Sequence, residues 1–512
     1  MITKTVPVHL IVCSLLTLSA WGADNLTIAN GGTDPVSSAT FSVSGDKTVA
    51  PSTVASALAS GNVDLQANAD TVFSNSVSAS STTGNLVLQS GRSITLAASV
   101  GLSLGGSFTA TAGDSGANNP PAGTPAFIMD SGSFVNAPAG ITINNSGGGI
   151  SLAQLTTNNN ISLNAGGSVT QSNQLTGSGL ELLGSGSYTL TNSSNHVSTL
   201  AANTTGAINY VDSGGINIGT VNGTRGLSAD SVNVQTGGNI SVVGPVTSLH
   251  NATLGSNDTI VLAQNVTIET PSNFLILSAG TEVAQSAGVI TAGGLELSGG
   301  SFSLTSSGNA VGTLAAYTTG DVSFTNAQSL TIGTVNGLNG ITTHGNVSLA
   351  VNGRITISGA INANNVSLQA TGVTLSTAYH INASSISFAN NTNLSLAVSA
   401  PVSSAILNGS VTFGQGTAFT LTTTNGYDPV AGDTFQLVSG SITGTPSWML
   451  PALDPGLSWD TSQFTTTGAI DVVPEPSTIS MLLLGCGLVL GRLICRKVEG
   501  GTAFEASGRK KP

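Results

Sequence analysis

The sequence predicts an all-β protein: a parallel β-helix (a solenoid of stacked short strands), a small C-terminal β cap and a single C-terminal transmembrane helix. Three observations lead to this prediction. The chain has 512 residues, of which 65 are glycine, 4% are aromatic and 7% are charged. Short alternations of apolar and polar residues recur along most of its length, and one long segment recurs 114 residues later.

The composition favours stacked strands over a single globular core. Ordinary globular domains carry about 25% charged residues, so this chain is depleted several-fold. Its 39% hydrophobic content excludes the composition typical of disordered chains, which combine low hydrophobicity with high charge. The apolar residues are mostly small and aliphatic, and such side chains pack well along short strands.

The first 22 residues have the pattern of a signal peptide. Lys4 provides the positive charge, residues 6–18 are mostly apolar, and small residues at Ala20 and Gly22 predict cleavage before Ala23 by signal peptidase. The cysteines are Cys13, Cys486 and Cys495, so residues 23–473 contain none. The exported part is therefore expected to fold without disulfides.

Charge is distributed unevenly. Residues 23–473 contain 20 acidic residues and four basic ones, a net charge of −16; the basic residues are Lys47, Arg92, Arg225 and Arg354. Four isolated basic residues cannot neutralise a phosphate backbone, so we expect no nucleic-acid partner.

Residues 23–400 are predicted to form the solenoid. Leu86 and Leu88, then Ile94 and Leu96, show the alternation with period two that is typical of strands with one buried face. Stacking such strands turn upon turn buries the inward residues and leaves Ser, Thr and Asn outside. At roughly 20 to 25 residues per turn, we expect about 15 to 18 turns. Residues 54–59 predict one short helical turn, and the proline-rich residues 114–130 predict a loop.

An internal duplication covers approximately residues 161–237 and 275–351. The sequence Ile-Gly-Thr-Val-Asn-Gly begins at Ile218 and again at Ile332. Copies of this length, each with several strands, predict duplication within a solenoid.

Residues 49–67 and 84–96 resemble modules of filamentous-haemagglutinin-type exoproteins. The resemblance extends over approximately residues 30–400. It implies a right-handed parallel β-helix and a role in adhesion.

From residue 401 to residue 473 the side chains become larger and prolines more frequent. Trp448 and Trp459 lie in this segment, which predicts a compact β cap at the open end of the solenoid. The segment resembles the terminal part of autotransporter-associated β-strand repeat proteins.

Residues 474–497 combine three features. Pro474, Glu475 and Pro476 come first, residues 479–491 are an uncharged run, and the basic residues Arg492, Arg496 and Lys497 follow this run. Residues 479–495, which include Arg492, predict a transmembrane helix. Basic residues favour the cytoplasmic side, so the acidic part is expected outside. Residues 498–512 form a basic polar tail.

This order of features resembles the PEP-CTERM sorting signal. The resemblance implies an exosortase-like membrane protease as a partner, with Pro474, Glu475 and Pro476 as its recognition residues. It also implies transient anchoring in the inner membrane of a Gram-negative-type bacterium, followed by transfer to the cell surface or the extracellular matrix.

No pattern of an active site is expected. Carbohydrate-active β-helices need clustered carboxylates, and the closest pairs here are Asp428 with Asp433 and Asp454 with Asp460. Most of these aspartates lie in turns next to Pro or Gly, where Asp is favoured for its side-chain hydrogen bonds, so turn formation is the preferred explanation. The histidines lack zinc-site spacing, so no metal, cofactor or catalytic residue is predicted; the four are His196, His250, His344 and His380.

The sequence therefore predicts an exported structural or adhesive protein of the cell surface or biofilm matrix, not an enzyme. Exopolysaccharide or surface glycans are the expected contacts. The alternative is a carbohydrate-active β-helix enzyme, a polysaccharide lyase or hydrolase.

Overall fold

The computed structural model describes residues 18–19, 24–41, 45–118 and 120–475. These residues form a parallel β-solenoid of about 19 turns with a small C-terminal sheet. The predicted all-β parallel solenoid and terminal sheet are confirmed, whereas the handedness stays a prediction. The chain divides into two compact units, residues 1–373 and 374–512.

Most turns fall within the predicted 20 to 25 residues: Val63 pairs with Leu86 and Ile208 with Val232, which gives turns of 23 and 24 residues. Others lie at or just below the lower limit. Ile161 pairs in register with Leu180, and Leu180 pairs with Leu200, so these turns take 19 and 20 residues. The count exceeds the predicted 15 to 18 because parallel pairing continues past residue 400, as between Ala418–Thr423 and Ser447–Met449. Along many strands, buried residues alternate with more exposed ones, as in Val63–Ala67 and Leu86–Ser90. This alternation confirms the period of two read from the sequence.

The first unit begins with a capping region. Leu26–Ile28 pairs in parallel with both Lys47–Val49 and Thr71–Phe73. The 3₁₀ helix Val36–Ser38 follows the first of these strands, and the α-helix Pro51–Ser60 buries Val54 and Leu58. The helix extends the single turn that the sequence predicts. Leu18–Ser19, inside the predicted signal peptide, pairs with Val63 and Asp64.

The strands before the duplicated segment pair with their equivalents one turn away. The further strands of this part are Val77–Ala79, Ile94–Leu96, Gly101–Leu104, Phe108–Ala112, Phe127–Met129, Phe134–Asn136, Ile141–Asn145, Ile150–Leu152 and Gln154–Thr156. The predicted loop interrupts them between Ala112 and Phe127, so it ends earlier than residue 130. Within the loop, the Asn118 backbone N–H donates to Asn68 Oδ1 at 2.8 Å.

The segment that holds the first copy contains long strands and one hairpin. Its strands are Asn160–Ala165, Val169–Gln171, Leu175–Gly184, Tyr188–Leu190, His196–Thr204, Ile208–Asp212, Ile216–Ile218, Thr220–Val221, Thr224–Arg225, Leu227–Ala229 and Val232–Thr236. Five more strands lead to the second copy, namely Ile240–Val242, Val246–Ser248, Ala252–Ser256, Thr259–Leu262 and Val266–Ile268.

The segment that holds the second copy has a similar order. Its strands are Phe274–Gln285, Ile290–Leu304, Ala310–Thr318, Val322–Asn326, Leu330–Ile332, Thr334–Val335, Leu338–Asn339, Ile341–Thr343 and Val347–Val351. The strands that follow it are Arg354–Ile357, Ile361–Asn362, Asn365–Gln369 and Gly372–Leu375. An antiparallel hairpin stands at the same place in each copy, Thr220–Arg225 and Thr334–Asn339.

The second unit contains both parallel and antiparallel pairs. Its parallel strands are Ile381–Phe388, Asn393–Val398, Leu407–Phe413, Ala418–Thr423, Ile442–Thr443 and Ser447–Met449. Parallel pairing therefore continues well past residue 400. Three further strands form an antiparallel sheet: Thr434–Gln436, Leu457–Asp460 and Ala469–Pro474. We call this three-stranded sheet the cap sheet.

Aromatic side chains fill the core of the second unit. Phe464, in the short helix Phe464–Thr467, contacts Trp448 edge to face with ring centroids 4.8 Å apart. It also lies 6.0 Å from Phe413, which stacks on Phe388. Such pairs stabilise a core beyond the area they bury.

Candidate functional site

The strand that leads into the predicted sorting signal lies in the middle of the cap sheet. Ala469–Pro474 pairs antiparallel with Thr434–Gln436 on one side and with Leu457–Asp460 on the other. Ile470 and Val472 face the core and are fully buried. The chain thus reaches the signal directly from a folded sheet, with no linker between them.

Hydrogen bonds hold this strand up to residue 475. The Val472 N–H donates to Asp433 O at 2.9 Å, and Val472 O accepts from the Gly432 N–H at 2.8 Å. Pro474 pairs with Leu457 and has no N–H to donate. The Glu475 N–H donates to Gly456 O at 2.8 Å, which is the last of these bonds in the described chain.

The predicted recognition residues lie at this junction. Pro474 is the last residue of its strand, and Glu475 follows it; both are exposed. Pro476, the predicted helix 479–495 and the basic residues Arg492, Arg496 and Lys497 lie outside the described residues. In the part of the chain that the structure describes, no helix has the length and apolar character needed to cross a membrane.

Comparison with known families identifies the junction. A family model for the PEP-CTERM protein-sorting motif matches residues 472–497. The chain carries a PEP-CTERM sorting motif. It implies an exported surface protein, membrane-associated sorting, and processing by exosortase, a membrane protease. Comparison with curated proteins and with solved structures gives no match.

The PEP-CTERM match begins inside the fold. Its first residues, from Val472 to Pro474, belong to the central strand of the cap sheet. The sequence places the signal from residue 474 onward. In the sequence, the strand before the signal shows only an alternation of residue types. The residue types do not indicate which strands it pairs with.

In each acidic pair considered for catalysis, one aspartate accepts local hydrogen bonds of the kind that form turns. Asp433 Oδ2 accepts from the Tyr427 hydroxyl at 2.6 Å and from the Val430 N–H at 2.8 Å. Burial raises the pKa of Tyr427, and Asp433 raises it further. The Ser462 N–H donates to Asp460 Oδ1 at 2.8 Å, and hydrogen bonds from Ser462 hold the pKa of Asp460 below its usual value. These contacts are those of turn-forming aspartates.

The histidines lie apart from one another along the chain and have different partners. His250 Nδ1 is 2.8 Å from Asp230 Oδ1, and His380 Nδ1 is 2.8 Å from Ala405 O. His196 Nδ1 lies 3.8 Å from Asp212 Oδ1. Across residues 24–475, leaving out 42–44 and 119, no three His, Cys, Asp or Glu side chains form a group that could hold a metal ion.

The outward faces carry rows of small hydroxyl side chains. Two rows run in register over successive turns, Ser228, Thr247, Thr267 and Thr291, and Ser303, Ser323, Ser348 and Ser367. The sequence predicts polar outward residues, and register turns them into continuous rows spaced by about 4.8 Å.

One exposed aromatic ring lies on such a face, and the sequence did not single it out. Tyr317 is 62% exposed and stands between Ser298 and Thr342 on the neighbouring strands. The equivalent position in the first copy is Asn203, which stands between Leu183 and Ser228. The two copies therefore differ at this place: the second has a ring beside Ser298, whereas the first has no ring and has Leu183 in place of that serine.

Proposed function

We propose that this chain is a structural and adhesive protein of the bacterial cell surface or extracellular matrix. The observation that carries the proposal is the PEP-CTERM motif at residues 472–497, which follows the cap sheet of a charge-poor β-solenoid protein without a linker. Export would follow the signal peptide at residues 1–22. Exosortase would process the chain at the end of the cap sheet.

Recognition is proposed to depend on Pro474, Glu475 and Pro476. Two prolines hold the backbone extended, and an extended exposed segment is what a protease binds. Pro474 and Glu475 are exposed at the end of the cap sheet, which supports this role. The basic residues Arg492, Arg496 and Lys497 would stay on the cytoplasmic side of the membrane.

The sorting proposal is tested in the native host. The full chain is compared with a variant in which Pro474, Glu475 and Pro476 are replaced by Ala, Gln and Ala. We expect the unaltered protein outside the inner membrane without its tail, and the variant intact in the membrane fraction. A matched control replaces Asp454 and Pro455, which lie in an exposed turn of the same unit. Equal release of all three proteins would contradict the proposal.

The adhesive part of the proposal rests on the hydroxyl-lined faces. The exported part is acidic, so it repels anionic polymers, and its neutral rows of Ser and Thr suit a neutral polysaccharide. Tyr317 adds an exposed apolar ring with a polar tip, a side chain common where proteins bind polar partners. A sugar face can lie flat on such a ring while its hydroxyls reach Ser298 and Thr342.

Sedimentation with an insoluble neutral glucan measures this contact. We expect Tyr317→Ala to weaken binding about fivefold or more, close to 1 kcal/mol. Asn203→Ala changes the equivalent position of the first copy and should leave binding unchanged. Equal affinity of Tyr317→Ala and the unaltered protein, or tighter binding to an anionic polysaccharide than to the glucan, would remove the support for adhesion through this face.

A further inference from the structure

We infer that exosortase cuts this chain no earlier than the peptide bond that follows Glu475, so that the released protein keeps the whole cap sheet. The inference rests on the proposed function, because it requires that the chain be processed. It goes beyond the motif, which gives a region for recognition and no position for the cut. The pairing of the strand Ala469–Pro474 carries it.

A protease needs the backbone of its substrate extended and free to bond in the enzyme cleft. In the central strand of a sheet those bonds are already made to the neighbouring strands. Cutting inside such a strand requires local opening first, whereas chain beyond the sheet is cut without it. The position of the last sheet bond therefore limits where the cut falls.

Opening the strand Ala469–Pro474 would be costly. It is paired on both sides, and its separation breaks the bonds between Val472 and its neighbours at Gly432 and Asp433. It also exposes Ile470 and Val472, both fully buried. The last bond is that from the Glu475 N–H to Gly456 O. The first peptide bond beyond the sheet is the one that follows Glu475.

The chemistry of the cut is ordinary hydrolysis. The C–N bond that breaks is that of the peptide bond after Glu475 or of a later one. Water supplies hydroxide to the carbonyl carbon, and the remaining proton goes to the new amino group of the tail. The acidic solenoid leaves with an intact cap. The tail keeps the basic residues.

The test is the mass of the released protein from the native host, with tandem mass spectrometry of its last peptide. We expect the chain to end at Glu475 or at a later residue. An end between Ala469 and Pro474 would overturn the inference while leaving sorting intact. A chain that runs to Pro512 would overturn both the processing proposal and the inference.

A disulfide staple provides a second test. Ser458 and Val473 stand directly opposite each other in the cap sheet. Opposite residues of an antiparallel pair have Cα atoms about 4.5 to 5.5 Å apart, within the range that a disulfide spans. The exported part has no other cysteine. In Ser458→Cys with Val473→Cys, we expect the same end and a processing rate within twofold of the single variants. Processing at least tenfold slower, restored by a reductant, would show that the strand must open and would overturn the inference.

Discussion

A buried asparagine makes the same five hydrogen bonds in each copy of the duplicated segment. Asn195 Oδ1 accepts from the Leu175 N–H at 2.9 Å and from Gln171 at 2.8 Å. Its Nδ2 donates back to Gln171 and to two backbone carbonyls, Leu190 O and Val211 O. Asn309 makes the equivalent set with Gln285 and its neighbours. The duplication indicated that these residues recur, but nothing in their sequence context predicted that both amides are buried.

Two aspartates six residues apart have pKa values shifted in opposite directions. Burial raises the pKa of Asp64, and Asp114 raises it further. Among the described residues, Asp64 Oδ1 has no hydrogen-bond partner. Asp70 receives hydrogen bonds from the Arg92 guanidinium and from the Ser93 N–H, and Arg92 is the main cause of its lowered pKa.

We expect Asp64→Asn to raise the melting temperature at pH 7, and Asp70→Asn to lower it. The first removes a charge that burial disfavours, whereas the second removes the partner of Arg92. Both side chains are partly solvated, so shifts of about 1 to 2 °C are expected for a chain of this size. Scanning calorimetry of the two variants checks the signs.

The two variants should also respond differently to acid. The raised pKa of Asp64 means that its charged carboxylate lowers the stability of the fold at neutral pH. This loss of stability disappears as the pH falls through the pKa that Asp64 has in the folded state. The lowered pKa of Asp70 means that its charged carboxylate stabilises the fold at pH values above the pKa that Asp70 has in the unfolded state. This stabilisation is lost as the pH falls through the pKa of the folded state. The difference between each variant and the unaltered protein should therefore shrink towards pH 3. A gap that widens on acidification would contradict these assignments.

At the scale of elements, the sequence predicted strands well and hairpins poorly. The alternation that includes Leu86 and Leu88 predicts the strand that contains them. The segment after Ile218 contains the antiparallel hairpin Thr220–Arg225, which the same alternation cannot distinguish from a turn of the solenoid. Its signal was Asn222 followed by glycine, since Asn222 has a φ of +49° and asparagine tolerates this region.

The cap depends on its short helix. Phe464 is fully buried and contacts Trp448 and Phe413. We expect Phe464→Ala to destabilise the second unit by about 3 to 5 kcal/mol, because a large cavity remains. Trp448 should then become more exposed to water, and its fluorescence maximum should move to longer wavelength.

Phe464→Leu is the matched control for the cavity. It keeps most of the apolar volume, so we expect a smaller loss and little change in fluorescence. Equal loss in both variants would mean that the ring contacts, rather than the filled volume, stabilise the cap. An unchanged melting temperature in Phe464→Ala would contradict the role given to the helix.

At the scale of the whole molecule, the fold class followed from the sequence because stacking repeats one local rule many times. The pairing of Ile161, Leu180 and Leu200 reproduces the alternation seen in many strands. The junction at Pro474 depended on pairing between distant segments, Leu457–Asp460 and Ala469–Pro474, which no local rule predicts. The residue types predict the sorting signal, whereas only the structure shows that the matched motif begins inside the cap sheet.

Stacking also predicts how far along the chain a destabilising substitution has an effect. In a solenoid each turn contacts chiefly the turns beside it, so stability is approximately a sum of local terms. Asn195→Ala removes the side-chain partner of the Leu175 N–H and of two backbone carbonyls, and each group that is left unsatisfied costs about 1 to 3 kcal/mol. We expect amide hydrogen exchange to accelerate at least about tenfold in residues 169–212 and to stay unchanged in residues 285–326.

Asn309→Ala is the matched experiment in the second copy. We expect amide hydrogen exchange to accelerate in residues 285–326 and to stay unchanged in residues 169–212. The double variant should show both local effects without further loss, since the two sites share no partner. Hydrogen exchange followed by mass spectrometry resolves the two segments. Faster exchange in both segments from either single change would mean that the turns unfold together, and the nearest-neighbour account of this solenoid would then be wrong.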